Sequence, residues 1–328
     1  MTGQARKVRV GITMGDPAGA GPQAIALSLK RLYGKAHFTV IGDERVFEKA
    51  KKKAGLAAGR GSYDFLDLRN VPRKTFRFGR PTFACARAAV DYIDYALGML
   101  KEGRIDCLVT GPVSKEMISR AGIPFSGHTE YLAGACGVKD YAMMLLNKKL
   151  KITLATRHLP LIKAARTLNS RHIRTAVSLT HQWLKVFFGI AHPRLVICGV
   201  NPHASDNGLI GTQENAFIKP LVKKLKAKGM AINGPYAAEA ALLKTAEGFY
   251  DAAVAMYHDQ AMIALKLSDA LSGVNLTLGL PFVRTSPLHG TAFDASAKGR
   301  VSGDSFTRAI TTAIDCCLCF DSRLCTDA

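Results

Sequence analysis

Short apolar runs rich in β-branched residues alternate along this chain with longer amphipathic stretches. VRVGIT (8–13), HFTVIG (37–42), DCLVTG (106–111), KITLAT (151–156), RLVICG (194–199), DAAVAMY (251–257) and VNLTLG (274–279) are too short for helices and end at glycine or polar residues, which predicts buried strands. PQAIALSLKRLYG (22–34), ARAAVDYIDYALGMLKEG (86–103), SRHIRTAVSLTHQWLKVFFG (170–189) and NAFIKPLVKKLKAKG (215–229) carry apolar residues three and four apart, the spacing of one helical face. Strand–helix alternation predicts an α/β fold with a largely parallel sheet. Chemistry in such sheets sits at the carboxyl ends of the strands. The segments GDPAGAGP, TGPVSK, ATRHLPL, GVNPHASDNG, MYHDQ and GLPFVRTSPLHG, polar and rich in glycine or proline, fall at those ends.

Composition narrows the class. The chain has 328 residues, 48% hydrophobic and 21% charged, enough for a sizeable core and for two domains. No apolar run reaches the ~18 residues of a membrane span, and MTGQARKVRV lacks a secretory apolar stretch. A cytoplasmic protein with no membrane partner is expected. The net charge of +20 invites a nucleic-acid reading, but the basic residues are dispersed. The densest runs, 51–53 and 223–229, read as solvated helix faces without interleaved aromatics, so an anionic small substrate is expected and no nucleic acid. Cys85, Cys107, Cys136 and Cys198 read as free thiols in apolar segments. Cys316, Cys317, Cys319 and Cys325 read as one face of a terminal helix plus its tail, since a zinc knuckle would need a second pair at ligand spacing.

Three constellations carry candidate chemistry. Gly15-Asp16-Pro17-Ala18-Gly19-Ala20-Gly21-Pro22 is a strand-to-helix turn whose glycines permit close backbone approach and whose Pro22 suits a first helical turn. Its spacing is not that of the dinucleotide fingerprint. Of nine histidines, His37, His172, His181 and His192 sit in basic or amphipathic surroundings, whereas His158, His203 and His258 each follow a predicted strand. Parallel strands bring such ends together, so the three could converge on one divalent metal with positions left open for substrate. Asp259 and Glu239 could orient the ligands. Lys266, Asn275 and Arg284 follow the last of these histidines, and with His128 and Thr129 they could grip an anion, Arg through a bidentate fork and Lys as a point charge.

With these motifs the chain resembles the 4-hydroxythreonine-4-phosphate dehydrogenase family of vitamin B6 biosynthesis. The matching stretches are ITMGDPAGAGP (12–22), VTGPVSKE (109–116), AGIPFSGHTEYLA (121–133), TRHLPL (156–161), NPHASDNGLIG (201–211), MYHDQAMIALK (256–266) and VNLTLGLPFVRTSPLHGTAFDASAKG (274–299). The resemblance implies a fold like isocitrate and isopropylmalate dehydrogenases, with two α/β/α domains flanking a cleft. Residues 1–126 and 272–328 would form the cofactor side, and 127–271 the metal, substrate and dimerisation domain. It implies metal ligation by His158, His203 and His258, one of them from a partner subunit, hence a homodimer with a shared site. The implied metal is zinc, with magnesium or cobalt able to substitute. Implied substrate contacts are His128, Thr129, Glu239, Lys266, Asn275 and Arg284. The implied cofactor, NAD or NADP, would lie along His289, Gly290, Thr291 and Asp294. The implied reaction oxidises the C3 hydroxyl of 4-phosphooxy-threonine and then releases CO2, with Lys115 the candidate for removing the hydroxyl proton.

Three positions depart from the family pattern: Gln23 where a glutamate is usual, Glu239 where an aspartate is usual, and Pro287-Leu288 before His289 where Val-Asp is common. Relatives act on threonate or erythronate 4-phosphate or on a cyclic dihydrodiol, so a paralogous dehydrogenase on a non-amino substrate is the alternative expectation. A non-catalytic anion or nucleic-acid binder is the remote one.

Overall fold

The structure, a computed structural model, describes residues 6–57 and 63–324, so Cys325 lies outside the described residues. The chain divides into two compact units, Met1–Cys136 with Pro281–Leu318, and Gly137–Leu280 with Cys319–Ala328. Elements are numbered along the chain.

The first unit contains β1 (Arg9–Thr13), β2 (His37–Gly42), β3 (Asp64–Asp67), β4 (Cys107–Thr110) and β11 (Val283–Pro287), in the order β3-β2-β1-β4-β11. All pair in parallel. Its helices are α1 (Gly21–Arg31), α2 (Glu44–Lys53), α3 (Phe83–Lys101), α4 (Lys115–Arg120), α5 (His128–Ala135), α11 (Phe293–Lys298) and the start of α12 (Asp304–Leu324). Local chemistry sets where several begin. Asp43, Thr82 and Ser114 each accept a backbone N–H from three residues on, which satisfies a helix-terminal donor. α1 opens with Pro22, whose missing N–H costs nothing there. Cys316 and Cys317 are buried on α12, and the Cys317 thiol is hydrogen-bonded to Cys107 of β4.

The second unit contains β5 (Ala142–Leu146), β6 (Lys151–Leu154), β7 (Leu195–Cys198), β8 (Ile232–Tyr236), β9 (Ala252–Ala255) and β10 (Val274–Leu278), in the order β10-β5-β6-β9-β7-β8. β5 runs antiparallel to both neighbours, and the β6-β9-β7-β8 series is parallel. Its helices are α6 (Leu161–Thr167), α7 (Ser170–Phe187), α8 (Lys219–Ala227), α9 (Ala238–Ala246) and α10 (His258–Ser268). Ile173, Val177 and Leu184 of α7 and Leu221 and Leu225 of α8 share one core with Ile197 and Val254 of the sheet. That shared burial fixes these strands and, with them, what stands at their ends.

All seven predicted strands and all four predicted helices form, and the strand pairing within each unit is predominantly parallel, as the α/β alternation predicts. No helix among the described residues is long and apolar enough to cross a membrane.

Candidate active site

In the second unit, four neighbouring parallel strands end beside one another, and each is followed by a polar candidate. β6 leads to His158, β9 to His258, β7 to His203 and β8 to Glu239. The His158 and His258 rings lie with centroids 5.4 Å apart. His258 Nδ1 is 2.7 Å from Asp259 Oδ1, a contact that fixes the ring and leaves Nε2 to face a ligand. Glu239 is exposed, yet its charge reaches the neighbouring strand end. Burial pushes the Cys198 thiol up to about 12, and the Glu239 carboxylate adds to the rise. Among the described residues, no three His, Cys, Asp or Glu side chains stand close enough together to hold one ion within a single chain. The chain therefore brings His158 and His258 together and carries His203 at the next strand end.

Hydrogen bonds to the main chain lock these ends. The Thr156 hydroxyl donates to Met256 O at 2.7 Å, tying the end of β6 to the end of β9. Gln260 accepts from Met256 N at 2.8 Å and donates to Gly199 O at 2.9 Å, tying β9 to β7. Glu214 is fully buried, and its carboxylate accepts from Val200 N, Asn201 N and Asn201 Nδ2 at 2.7 to 2.8 Å. That clamp holds the root of an unusual turn in which His203, Ala204, Ser205, Asp206 and Asn207 all have φ between 46° and 71°. Left-handed backbone costs about 1–2 kcal/mol for each such residue, so the turn persists only because its surroundings hold it.

Consecutive residues diverge at the end of β6. His158 faces His258 on the β9 side, whereas the Arg157 guanidinium lies 4.4 Å from the Tyr141 ring centroid and donates to Tyr141 O on the β5 side. Arg157, Tyr141, Lys139, Arg171 and His172 line a cavity of about 400 Å³ there, which sequence reasoning missed.

The remaining expected substrate residues divide between the units. Lys266, on the last turn of α10, is exposed, and its ammonium donates to Ala270 O at 3.4 Å. Asn275 lies within β10 opposite Leu145, with its Oδ1 buried and unpartnered. In the first unit, Arg284 on β11 is 1% exposed and donates to Thr110 Oγ1 on adjacent β4. Burial pulls its pKa down to about 9, opposed by the nearby carboxylate of Glu130, so it remains a cation at neutral pH. His128 opens α5 beside buried Thr129, edge-on to Phe125, with Nε2 buried and unpartnered. Its pKa lies well below the ordinary value, chiefly through burial and also through the positive charges of Arg284 and Lys115. A neutral imidazole, a buried guanidinium and an ammonium are thus gathered in one corner, which suits a multiply charged anion.

The glycine turn packs against the segment after β11. Ala20 N donates to Thr291 O at 2.7 Å, and Ser296 Oγ donates to Gly19 O at 2.8 Å. A Cβ at Gly19 would stand 2.9 Å from Thr291 O, so the close approach requires glycine. Gln23 donates its amide to Ser296 O at 3.0 Å, a bond that an ionised glutamate could not make. His289, whose Nδ1 meets Gly290 O, and Asp294 on the first turn of α11 are both solvent-accessible, and the space around Gly290 is open. Asp16 is 1% exposed, with Oδ1 accepting from Ala18 N and Oδ2 buried without a partner, and burial raises its pKa to about 6. Gln260, Glu214, Glu130 and Asp16 were not among the predicted site residues. Their roles depend on bonds and charges contributed by distant segments; Asp16, Glu130 and Gln260 stood inside quoted motifs without being singled out, and Glu214 stood outside them.

This chain resembles known proteins over nearly its full length. A family described as "Pyridoxal phosphate biosynthetic protein PdxA" matches residues 20–313. A 4-hydroxythreonine-4-phosphate dehydrogenase of Desulforapulum autotrophicum is 36% identical over 93% of this chain and 94% of its own length. A protein of Oceanobacillus iheyensis named for D-threonate 4-phosphate dehydrogenase activity is 35% identical over 95% of this chain and 98% of its own. The crystal structure of 4-hydroxythreonine-4-phosphate dehydrogenase from Klebsiella pneumoniae superposes with a TM-score of 0.85 at 34% identity, covering 96% of this chain and 99% of that one. On this agreement of motifs, fold and near-complete coverage, the chain belongs to the PdxA family and is a dehydrogenase acting on a CH–OH group.

Proposed function

We propose that the protein oxidises the C3 hydroxyl of 4-phosphooxy-L-threonine with NAD+ or NADP+ and releases CO2, giving 3-amino-2-oxopropyl phosphate for vitamin B6 synthesis. The observation that carries this reading is the placement of His158, His258 and His203 at the ends of three adjacent parallel strands, with two of the rings already side by side.

The donor set fits a divalent metal. Three imidazoles, one oriented by Asp259, make a catalytic zinc-type set with room for substrate, and magnesium or cobalt could substitute. A bound cation supplies Lewis acidity, which favours loss of the hydroxyl proton and later the flow of electrons from the carboxylate. His289, Gly290, Thr291 and Asp294 would take the adenosine end of the cofactor, in the open space beside Gly290. The nicotinamide supplies the hydride acceptor.

The chain's own groups position and neutralise the substrate. The Arg284 fork grips the phosphate, and half-buried His128, whose Nε2 is buried, and fully buried Thr129 offer hydrogen bonds without adding charge. Lys266 and Asn275 are further substrate contacts, and Lys115, once its ammonium has released a proton to solvent, receives the hydroxyl proton. After oxidation, the 2-amino-3-keto acid loses CO2 because the new ketone accepts the electron pair. The protein acts as a homodimer in the cytoplasm, with one metal-binding histidine contributed across the interface. The exposed apolar face of α10 supports that assembly: Ile263 and Leu267, one helical turn apart, are 61% and 83% exposed and flank Lys266.

A second reading replaces the amino substrate with D-threonate 4-phosphate. It is favoured by the Oceanobacillus relative and by Glu239, whose longer side chain stands at the β8 end. NADH formation from each substrate by the purified protein separates the two. The first reading expects the amino substrate to be preferred, and a preference above about tenfold for the threonate, a difference of ~1.4 kcal/mol in the barrier, would replace it with the second. Both readings expect a chelator to abolish turnover and zinc to restore it, and full turnover without metal would overturn both.

A further inference from the structure

The cationic corner of the first unit contains one carboxylate that the proposed reaction does not use. Glu130 lies on the first turn of α5, two residues after His128. A methyl group built on Gly127 would stand 2.9 Å from Glu130 Oε2 and 2.9 Å from Lys115 Nζ, so these two opposite charges flank the same glycine. Glu130 is also the carboxylate whose field supports the charge on Arg284, a guanidinium only 1% exposed. Neutral His128 adds no charge to the corner. Without a ligand, exposed Lys115 and buried Arg284 would repel one another, and little water reaches the Arg284 end to screen that repulsion. A fixed carboxylate relieves that repulsion, but the same carboxylate opposes an incoming phosphate.

We propose that Glu130 is a positioning residue, the internal counter-anion of the phosphate corner. It balances Lys115 and Arg284 when no substrate is bound and gives way when the phosphate arrives. This inference rests on the reading of that corner as the place where the substrate phosphate binds. Its consequence is a trade-off that simple packing would not produce: removing the charge should weaken the unliganded protein and strengthen its grip on phosphate.

Thermal unfolding of the full-length protein, titrated with inorganic phosphate at constant ionic strength, tests this. Glu130→Gln is expected to melt lower than the wild type without phosphate, yet to bind phosphate about tenfold more tightly, the scale for losing one screened, partly buried like charge. Glu130→Asp, with its carboxylate drawn back by one methylene, is expected to fall between the two. A merely structural role would lower the melting temperature without tightening the binding, so equal or weaker phosphate affinity in Glu130→Gln overturns the proposal. Should that variant not fold, Glu130→Asp decides alone, and affinity no tighter than wild type overturns it. If phosphate leaves the wild-type melting temperature unchanged, the phosphate reading of the corner fails and the proposal falls with it.

Discussion

Gln260 donates a hydrogen bond to Gly199 O at 2.9 Å, joining the chain just after His258 to the chain just before His203. The same side chain accepts from Met256 N at 2.8 Å, so one amide fixes the spacing between two candidate metal-binding segments. Gln260→Glu keeps the acceptor and loses the donor. It is expected to reduce metal affinity by about ten- to a hundredfold, the range for groups that orient ligands, while stability drops by about 1–3 kcal/mol. Metal content after dialysis and urea unfolding check the two effects separately. A variant with wild-type metal affinity would remove Gln260 from the site.

Asp16 makes stability depend on pH in a direction unusual for a carboxylate. Its pKa is raised by burial from 3.8 to about 6, so the folded protein holds this proton more tightly than the unfolded chain does. The resulting stabilisation is complete below about pH 3.8 and is lost as pH rises through about 6. Asp16→Asn stays neutral and retains an oxygen for Ala18 N. It is expected to match the wild type near pH 4 and to exceed it by ~3 kcal/mol at pH 7.5. Melting temperatures of both proteins across that range test the sign, and a gap independent of pH would refute it. Any activity lost in this more stable variant would measure how far the glycine turn needs the charge.

Arg284→Lys preserves the positive charge but removes the planar fork, and with it the bond to Thr110 Oγ1. Substrate KM is expected to rise by about tenfold with a smaller change in kcat, because a paired phosphate contact becomes a single one. An unchanged KM would mean that Arg284 does not bind the phosphate. A variant that fails to fold would assign the guanidinium a structural role instead.

Much of the fold was readable because buried parallel strands are written in β-branched runs. The strands that escaped notice are those written otherwise. β5 reads AMMLL, with no β-branched residue, β8 reads INGPY, interrupted by Gly-Pro, and β3 is four residues with an aspartate at each end. β11 reads VRTSP, where an arginine sits in a buried strand. His158, His203 and His258 were legible because each ends a recognisable strand. Glu214 was not, because it lies on a π-turn and holds amides of a loop thirteen and fourteen residues before it. Arg157 was read only as part of TRHLPL, and nothing in that motif says that its side chain leaves the strand on the side opposite to His158.

That divergence after β6 bears on which changes of length the segment can absorb. Surface connections ordinarily accept an added or deleted residue. Here, removing one residue between Leu154 and Arg157 would draw the bend after β6 back toward the strand and pull the guanidinium and the imidazole away from their present partners, Tyr141 and His258. A single-codon deletion would then separate the paired His158 and His258 rings even though both histidines survived. Variation among descendants of this chain should accordingly appear there as substitution and not as insertion or loss.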